Sequence, residues 1–169
     1  MSNFTDAKNW FQMALADIER INRSYNANDF ADCAYRIQFC GEKIIKGVIL
    51  LYGLQFKKLH EVSTILYNEI LSKLSLDTTE YQILENIASN ARFIETLSTS
   101  PLYGIIEGGK FTSPEEIYDK TAINEYIVHL LAEIDGLITL FELKDKKDWK
   151  KQKEAFQSAQ TTLRSLVVE

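Results

Sequence analysis

The sequence predicts an all-α fold, an up-and-down bundle of five or six helices. Apolar residues recur at steps of three and four through most of the 169-residue chain, which is the spacing of one helix face. Only two prolines and seven glycines are present, and this scarcity favours long regular elements. Capping residues also stand directly before several apolar stretches, where their side chains can satisfy free backbone N–H groups.

The segment Asn28–Gly53 is predicted to be the central helix, around which the others pack. Asn28 or Asp29 can cap its start, and its last glycine is placed to end it in a left-handed conformation. Gly41 and Gly47 predict that a neighbouring helix backbone comes close, because glycine otherwise costs about 1 kcal/mol inside a helix. The apolar or small side chains form one face that widens in the second half: Phe30, Cys33, Ala34, Ile37, Gly41, Ile44, Ile45, Val48 and Tyr52.

Five further helices are predicted along the chain. They span about residues 3–23, 60–73, 78–97, 113–143 and 145–167. A capping box at Asp77–Glu80 precedes one of them, and Ser113 with Pro114 marks the start of the next. Between these two signals, residues 98–112 show no helical stripe and are interpreted as a long loop, a kind of segment that is often functional or mobile.

The last predicted helix carries a narrow apolar stripe, with Trp149, Phe156 and Leu163 spaced seven residues apart. This stripe either packs on the bundle of its own chain or pairs with another subunit. Residues 1–169 are predicted to form a single domain, with a core at about 4–143 and this helix at about 145–167.

Composition and charge exclude several classes of protein. The net charge of −5 does not favour non-specific nucleic-acid binding, which depends on neutralising phosphates. No apolar run reaches the length of a membrane span, about 18–20 residues, and no signal-peptide pattern is visible, so we expect a cytoplasmic location.

Cys33 and Cys40 lie about 10.5 Å apart along a helix axis, too far to bridge each other. They are interpreted as packed core thiols, with an intersubunit bridge or a redox role as the alternative.

Several short motifs, in a fixed order, resemble the HEPN family. The residues that carry the resemblance are C-A-Y-R-I-Q-F-C-G-E-K-I-I-K-G (Cys33–Gly47), the L-Y-G that follows, L-H-E-V (Leu59–Val62), Trp10 and Ala14 with Asp17-Ile18, and Ala91-Arg92-Phe93. The last of these resembles the family's A-R-Y segment at the end of a later helix. The resemblance covers roughly residues 4–141. It implies a homodimer, in a family whose members often work beside a small nucleotidyltransferase in toxin–antitoxin or defence systems.

HEPN proteins that cut RNA resemble one another in an R-x(4–6)-H motif after the helix that ends in A-R-Y. Arginine can hold the phosphate there, and histidine can move protons near neutral pH. Arg92 occupies the matching arginine, but the next histidine is His129, far along the following helix. Arg92 is therefore a weak catalytic candidate and a candidate phosphate contact, with a surface or ion-paired role as the alternative.

Four other residues are candidates for ligand binding. Arg36, Lys43 and Lys46 can present a basic strip on the central helix to a nucleotide phosphate. The alternative is that Glu42 and Lys46, at i and i+4, pair with each other on the helix surface. His60 lies at a predicted loop–helix junction, where it either binds a ligand or serves as a capping or packing residue.

Glu125, His129 and Glu133 form an i, i+4, i+8 column with side chains that could ligate a metal. Di-iron bundles need a Glu-x-x-His pair on each of two helices plus two more glutamates, and no second copy is present here. Glu107–Lys110 holds two glycines and a lysine without the spacing of a phosphate-binding loop. We therefore predict no metal and no cofactor.

The leading functional prediction is a non-catalytic HEPN-type protein. It would be nucleotide-associated, or the partner of a small nucleotidyltransferase in a toxin–antitoxin or defence-type system. Two alternatives stay open. One is a metal-independent endoribonuclease that uses Arg92 and a displaced base, disfavoured because the motif histidine is missing. The other is a small-nucleotide binding protein, which the basic strip favours.

Overall fold

The computed structural model describes residues 2–55, 62–144 and 146–167 of the chain. It confirms the predicted all-α bundle. The elements are α1 (Ser2–Asn26), α2 (Phe30–Leu51), α3 (Val62–Ile65), a π-helix (Leu66–Leu71), α4 (Thr78–Glu95), α5 (Ser100–Tyr103), β1 (Ile105–Glu107), β2 (Lys110–Thr112), α6 (Pro114–Ile117), α7 (Lys120–Leu143) and α8 (Lys146–Val167). No helix within these described ranges is long and apolar enough to cross a membrane.

The helix α2 lies at the centre of the bundle, where it packs against α1, α4 and α7. Asp29 caps its first turn, because the Asp29 carboxylate accepts a hydrogen bond of 3.0 Å from the backbone N–H of Asp32. Gly53 follows its end with a φ of +76°, the predicted left-handed conformation. Ile44 and Val48 have no exposed surface, which confirms the central position of this helix.

Two glycines of α2 let side chains of other helices reach its backbone. A Cβ atom on Gly47 would lie 2.3 Å from the ring of Phe11 in α1. A Cβ atom on Gly41 would lie 3.1 Å from a carboxylate oxygen of Glu133 in α7. Other helices therefore approach α2 closely at both glycines, as predicted. The contacts are made by their side chains rather than by their backbones.

The helix α8 folds back on its own chain, where it packs against α1 and α7. Trp149, Phe156 and Leu163 are buried. The Trp149 ring stacks on Phe141 of α7 at 5.1 Å between centroids, and Phe11 meets it edge-on at 5.8 Å. Of the two interpretations of this stripe, packing on the chain's own bundle is correct.

The helix predicted over residues 60–73 differs in the structure. Its start, with His60, falls outside the described residues. From Val62 it runs as α-helix for one turn and then widens into the π-helix, in which the N–H of Ser72 bonds the carbonyl of Tyr67 at 3.1 Å. The π-helix buries Leu66, Ile70 and Leu71, and it ends two residues earlier than predicted.

The loop predicted over residues 98–112 is wrong, because most of this segment is regular. The short helix α5 leads into β1 and β2, which pair in antiparallel fashion with Ile106 opposite Phe111. Gly108 and Gly109 form the turn with φ values of +55° and +80°, as a two-residue hairpin turn requires. Gly104 precedes β1 at a φ of +68°, and a Cβ atom there would lie 2.3 Å from the Thr112 carbonyl oxygen.

The single helix predicted from Ser113 to Leu143 is interrupted. The short helix α6 ends at Ile117, and α7 begins two residues beyond Tyr118. Asp119 caps this second start by accepting a hydrogen bond of 2.8 Å from the Ala122 N–H. Tyr118 is extended and buried at the break, and its hydroxyl contacts that of Ser100 at 2.5 Å.

Candidate functional site

A groove of about 370 Å³ separates α2 from the end of α4 and from α5. It lies beside positions of the ribonuclease motif, because Ser98 and Thr99 are part of its lining. Its lining combines aromatic side chains, short polar side chains and carboxylates. The residues are Tyr35, Gln38, Phe39 and Glu42 on α2, Glu95, Ser98 and Thr99 at the end of α4, and Leu102 and Tyr103 on α5.

Three residues occupy the positions at which the R-x(4–6)-H motif would place its histidine. Counted from Arg92, these are Leu97, Ser98 and Thr99. Leu97 is 1% exposed and belongs to the core, whereas Ser98 and Thr99 line the groove. None of the three side chains can exchange a proton near neutral pH as histidine does.

The charged side chains in the groove lining are both carboxylates. Glu42 pairs with Lys46 of the same helix. Glu95 accepts a hydrogen bond of 2.8 Å from the backbone N–H of Ser63 and a second from the Ser63 hydroxyl. No basic side chain is among the residues that line this groove in the described part of the chain. Both carboxylates of the described lining therefore already have partners.

Aromatic rings form the wall of the groove on α2. Tyr35 and Phe39 contact each other edge-to-face with 4.6 Å between ring centroids. The guanidinium carbon of Arg36 lies 5.0 Å from the centre of the Tyr35 ring, and Lys43 Nζ lies 5.4 Å from that of Phe39. Cations at such distances are attracted by the negative face of the ring. Opposite them, Tyr103 is 72% exposed.

The basic strip predicted on α2 is a row of ion pairs. Arg36 Nε lies 3.2 Å from a carboxylate oxygen of Asp32. Lys43 pairs with Asp17 of α1, a fully buried carboxylate that also binds Arg20 at 2.6 Å. Each of these cations thus has a carboxylate partner, and a phosphate would have to compete with that partner.

Lys46 is the most buried of the three basic candidates, with 8% of its surface exposed. It pairs with Glu42 and lies 4.8 Å from the centre of the Trp10 ring. The i, i+4 pairing weighed as the alternative is therefore present. Trp10 itself is half-buried on α1.

Arg92 is exposed on α4 and forms no ion pair within the described part of the chain. His129 contacts other residues of α4 instead of Arg92. The His129 Nδ1 atom lies 2.8 Å from the side-chain oxygen of Asn90, and its ring stacks on Phe93 at 3.7 Å. At about 100° per residue, Arg92 projects about 160° away from Asn90 around the helix. His60 lies outside the described residues.

The column of Glu125, His129 and Glu133 does not converge on one point. Glu125 is exposed, His129 is half-buried and Glu133 is fully buried. Within the described ranges, no three histidine, cysteine, aspartate or glutamate side chains are grouped to hold a metal ion. Neither oxygen of the Glu133 carboxyl has a hydrogen-bond partner there.

Sequence reasoning missed the burial of Glu133, although a signal was present. The residue stands three positions after Leu130 and four before Leu137, so it lies on the apolar stripe of α7. Burial raises the pKa of its carboxyl well above the usual range, and the negative charge of Glu95 adds to the rise.

The two cysteines are buried and form no disulfide. Burial, with a smaller contribution from Asp32, raises the pKa of the Cys33 thiol to about 12, and burial also raises that of Cys40. Thiolates are the reactive form of cysteine, so both side chains are inert packing groups at neutral pH. This confirms the interpretation as core thiols.

Comparison with known proteins gives one family and one relative. The family model of the HEPN domain matches residues 7–134. The relative is "Putative toxin MJ1304" of Methanocaldococcus jannaschii, which is 27% identical over 123 residues, covering 73% of this chain and 80% of that protein. No solved structure matches the chain significantly.

Proposed function

Because this chain belongs to the HEPN domain family, we propose that it is the HEPN component of a toxin–antitoxin-type system and acts by binding a partner rather than by cutting RNA. The observation that carries the proposal is the chemistry of the motif positions. Leu97, Ser98 and Thr99 stand where the histidine is required, and the charged side chains that line the groove with Ser98 and Thr99 are, among the described residues, carboxylates. The printed name of the relative, a putative toxin, supports the assignment to this type of system.

The proposed partners are a second copy of the chain and a small nucleotidyltransferase, in the cytoplasm. Both partners follow from the family, and the acidic net charge of −5 supports binding to proteins rather than to nucleic acid. Isolation of the tagged chain from its own cells, followed by mass spectrometry, tests the second partner. We expect a nucleotidyltransferase at a stoichiometric level. A preparation that contains none would contradict this part of the proposal.

An RNA cleavage assay tests the non-catalytic assignment. The purified chain, the Arg92→Ala variant and the Arg23→Ala variant are incubated with labelled cellular RNA. Arg23 is an exposed arginine on α1 and serves as the control for the loss of one positive charge. We expect no cleavage above background from any of the three proteins, because no histidine follows Arg92 at the motif spacing. Cleavage that is lost in Arg92→Ala and kept in Arg23→Ala would refute the proposal.

Nucleotide binding by Arg36, Lys43, Lys46 and His60 stays a prediction. A phosphate would have to displace Asp32, Asp17 and Glu42 from the first three of these residues. Calorimetry with ATP at millimolar concentration tests it. Heat that falls as salt increases would favour the strip as a phosphate site, since exposed charges are screened. Absence of heat would remove this alternative.

A further inference from the structure

We propose that Glu133 is a proton-dependent latch on the seam between α2 and α4, the line along which Gly41 packs against Ile94. While the carboxyl of Glu133 carries its proton, the seam stays closed. Once the proton is lost, α2 and α4 move apart at this point and the carboxylate reaches water. This conformational change goes beyond the proposed function, because it requires neither a partner protein nor RNA.

Three helices meet at the Glu133 carboxyl. A Cβ atom on Gly41 of α2 would lie 3.1 Å from one oxygen of this carboxyl and 3.4 Å from the side chain of Ile94 on α4. Glu133 itself has no exposed surface, and neither of its oxygens has a hydrogen-bond partner in the described part of the chain. Buried polar groups are nearly always hydrogen-bonded, so an exception of this kind calls for an explanation.

The titratable groups that act on Glu133 oppose its ionisation. Burial is the largest effect, and the negative charge of Glu95 on α4 adds to it, so that the pKa of the Glu133 carboxyl lies well above its usual range. On α2, the Cys40 thiol interacts with Glu133 and stays neutral, because burial raises its pKa. Neither neighbour offers the positive charge that an ionised carboxylate needs.

The cations of the helices packed around this point form ion pairs elsewhere. Lys43 of α2 pairs with Asp17 of α1, and the two act on the Cys40 thiol with opposite signs. On α8, Arg164 pairs with a carboxylate on the exposed side of α7. None of these cations is bonded to Glu133. Loss of its proton therefore strongly destabilises the closed seam.

The seam borders the groove between α2 and α5. On α2, Glu42 directly follows Gly41 and lines the groove. On α4, Glu95 directly follows Ile94 and lines it as well. A small separation of α2 from α4 would therefore widen the groove and admit water to Glu133. Such a local opening costs less free energy than global unfolding, because it exposes less apolar surface.

A cysteine placed at the seam reports its opening. Ile94→Cys, at a position that is 1% exposed, is the seam reporter. Ile87→Cys, on the same helix and fully buried against Gly136 of α7, is the matched control. Each full-length variant is treated with iodoacetamide from about pH 6 to about pH 9, and its labelling rate is divided by the rate of the same variant in urea. This division removes the pH dependence of the thiol itself.

Peptide mass spectrometry follows each cysteine separately, so the native Cys33, buried in α2, reports global unfolding in the same molecules. We expect Ile94→Cys to be labelled at least about tenfold faster than Ile87→Cys at about pH 8, with a normalised rate that rises about tenfold per pH unit below the raised pKa, because only the open state releases the proton. Adding Glu133→Gln, which keeps the shape and cannot ionise, should abolish this rise.

Two results would overturn the latch. Equal normalised rates for Ile94→Cys, Ile87→Cys and Cys33 at every pH would show that these thiols are reached only through global unfolding. A rise with pH that persists in Glu133→Gln would show that another group controls the opening. Circular dichroism verifies that each variant is folded. Leu97→Cys, one turn further along the same face of α4, and Glu133→Leu repeat the measurement with a second reporter and a second non-ionisable side chain.

Discussion

Glu133 places a carboxyl group inside the bundle without a hydrogen-bond partner among the described residues. An ionised carboxylate in such a place is very costly, so the folded protein keeps the group protonated, as its raised pKa indicates. The carboxyl lies beside Gly41, where a Cβ atom would come within 3.1 Å of one of its oxygens, so glycine at position 41 leaves room for it. We therefore expect this single residue to make the stability of the bundle depend on pH.

Folding should weaken as the pH rises above the ordinary glutamate range. The unfolded chain releases this proton near the usual pKa of about 4.3, whereas the folded protein retains it. Each further pH unit then favours the unfolded state by about 1.4 kcal/mol, until the raised pKa of the folded state is reached. Urea unfolding of the wild type and of Glu133→Leu at several pH values measures this. The variant should lack this slope and be more stable than the wild type at about pH 8.

Glu125→Leu is the matched control for this measurement, because Glu125 lies on the same helix and is exposed. Its pH dependence should follow that of the wild type. If the wild type and Glu133→Leu lost stability equally with rising pH, the buried carboxyl could not be the proton-binding group.

At the scale of elements, α2 is the helix at the centre of the core. Ile44 has no exposed surface, and replacing it by alanine should lower the free energy of unfolding by about 2–5 kcal/mol, through lost burial and the cavity left behind. Val128→Ala serves as the control, because Val128 is 54% exposed on α7 and should change stability by less than about 0.5 kcal/mol. Denaturant unfolding measures both. A loss for Ile44→Ala as small as that of the control would contradict the central position of α2.

We expect the stability of the fold to depend on α8 as much as on α2, because the apolar stripe of α8 packs into the same core. Trp149 is 1% exposed and contacts the rings of Phe11 and Phe141. We expect Trp149→Ala to cost about 3–5 kcal/mol in unfolding free energy, and Lys150→Ala, on the neighbouring exposed position, to cost little. If Trp149→Ala unfolded at the same urea concentration as Lys150→Ala, α8 would be an appendage rather than part of the core.

Sequence patterns predict these helices because burial follows the helical period. The cap at Asp29, the left-handed Gly53 and the stripes of α2 and α8 are all local signals. The hairpin was missed although a local signal existed, since Gly108-Gly109 stands between Ile106 and Phe111 and fits a two-residue turn. A three-residue strand is too short for alternation to stand out.

The groove could not be predicted in the same way. Its rings come from α2 and α5, which are distant in sequence, and only the tertiary fold brings Phe39 near Tyr103. Arg92 was identified by resemblance, but the contact of His129 with Asn90 rather than with Arg92 depends on the direction in which α4 faces α7. The ion pair of Lys43 with Asp17 also joins two helices, so the spacing on α2 could not reveal it.

At the scale of the whole molecule, the exposed apolar surface is unevenly distributed. Five of the ten large hydrophobic side chains exposed in the described part of the chain fall between residues 102 and 111, so this segment is the strongest candidate for an interface. They are Leu102, Tyr103, Ile105, Ile106 and Phe111. The sequence left open whether the stripe of α8 pairs with another subunit, and its burial in its own chain removes it as a reason to expect a dimer.

We therefore predict a homodimer that uses the hairpin face. Ile106 and Phe111 are directly opposite each other on one face of the hairpin, 74% and 56% exposed. A two-fold interface would bring the same pair from both subunits together. Ile106→Lys should convert the dimer into a monomer, because two lysines would then face each other across the symmetry axis, whereas Val128→Lys should not.

Light scattering over a concentration series measures both variants and the wild type. A wild type that is monomeric at every concentration would contradict the dimer itself. A dimer that survives Ile106→Lys would exclude the hairpin as its interface. Truncation after Lys144 cannot replace these variants, since it would remove Trp149, Phe156 and Leu163 from the core and unfold the bundle together with any interface.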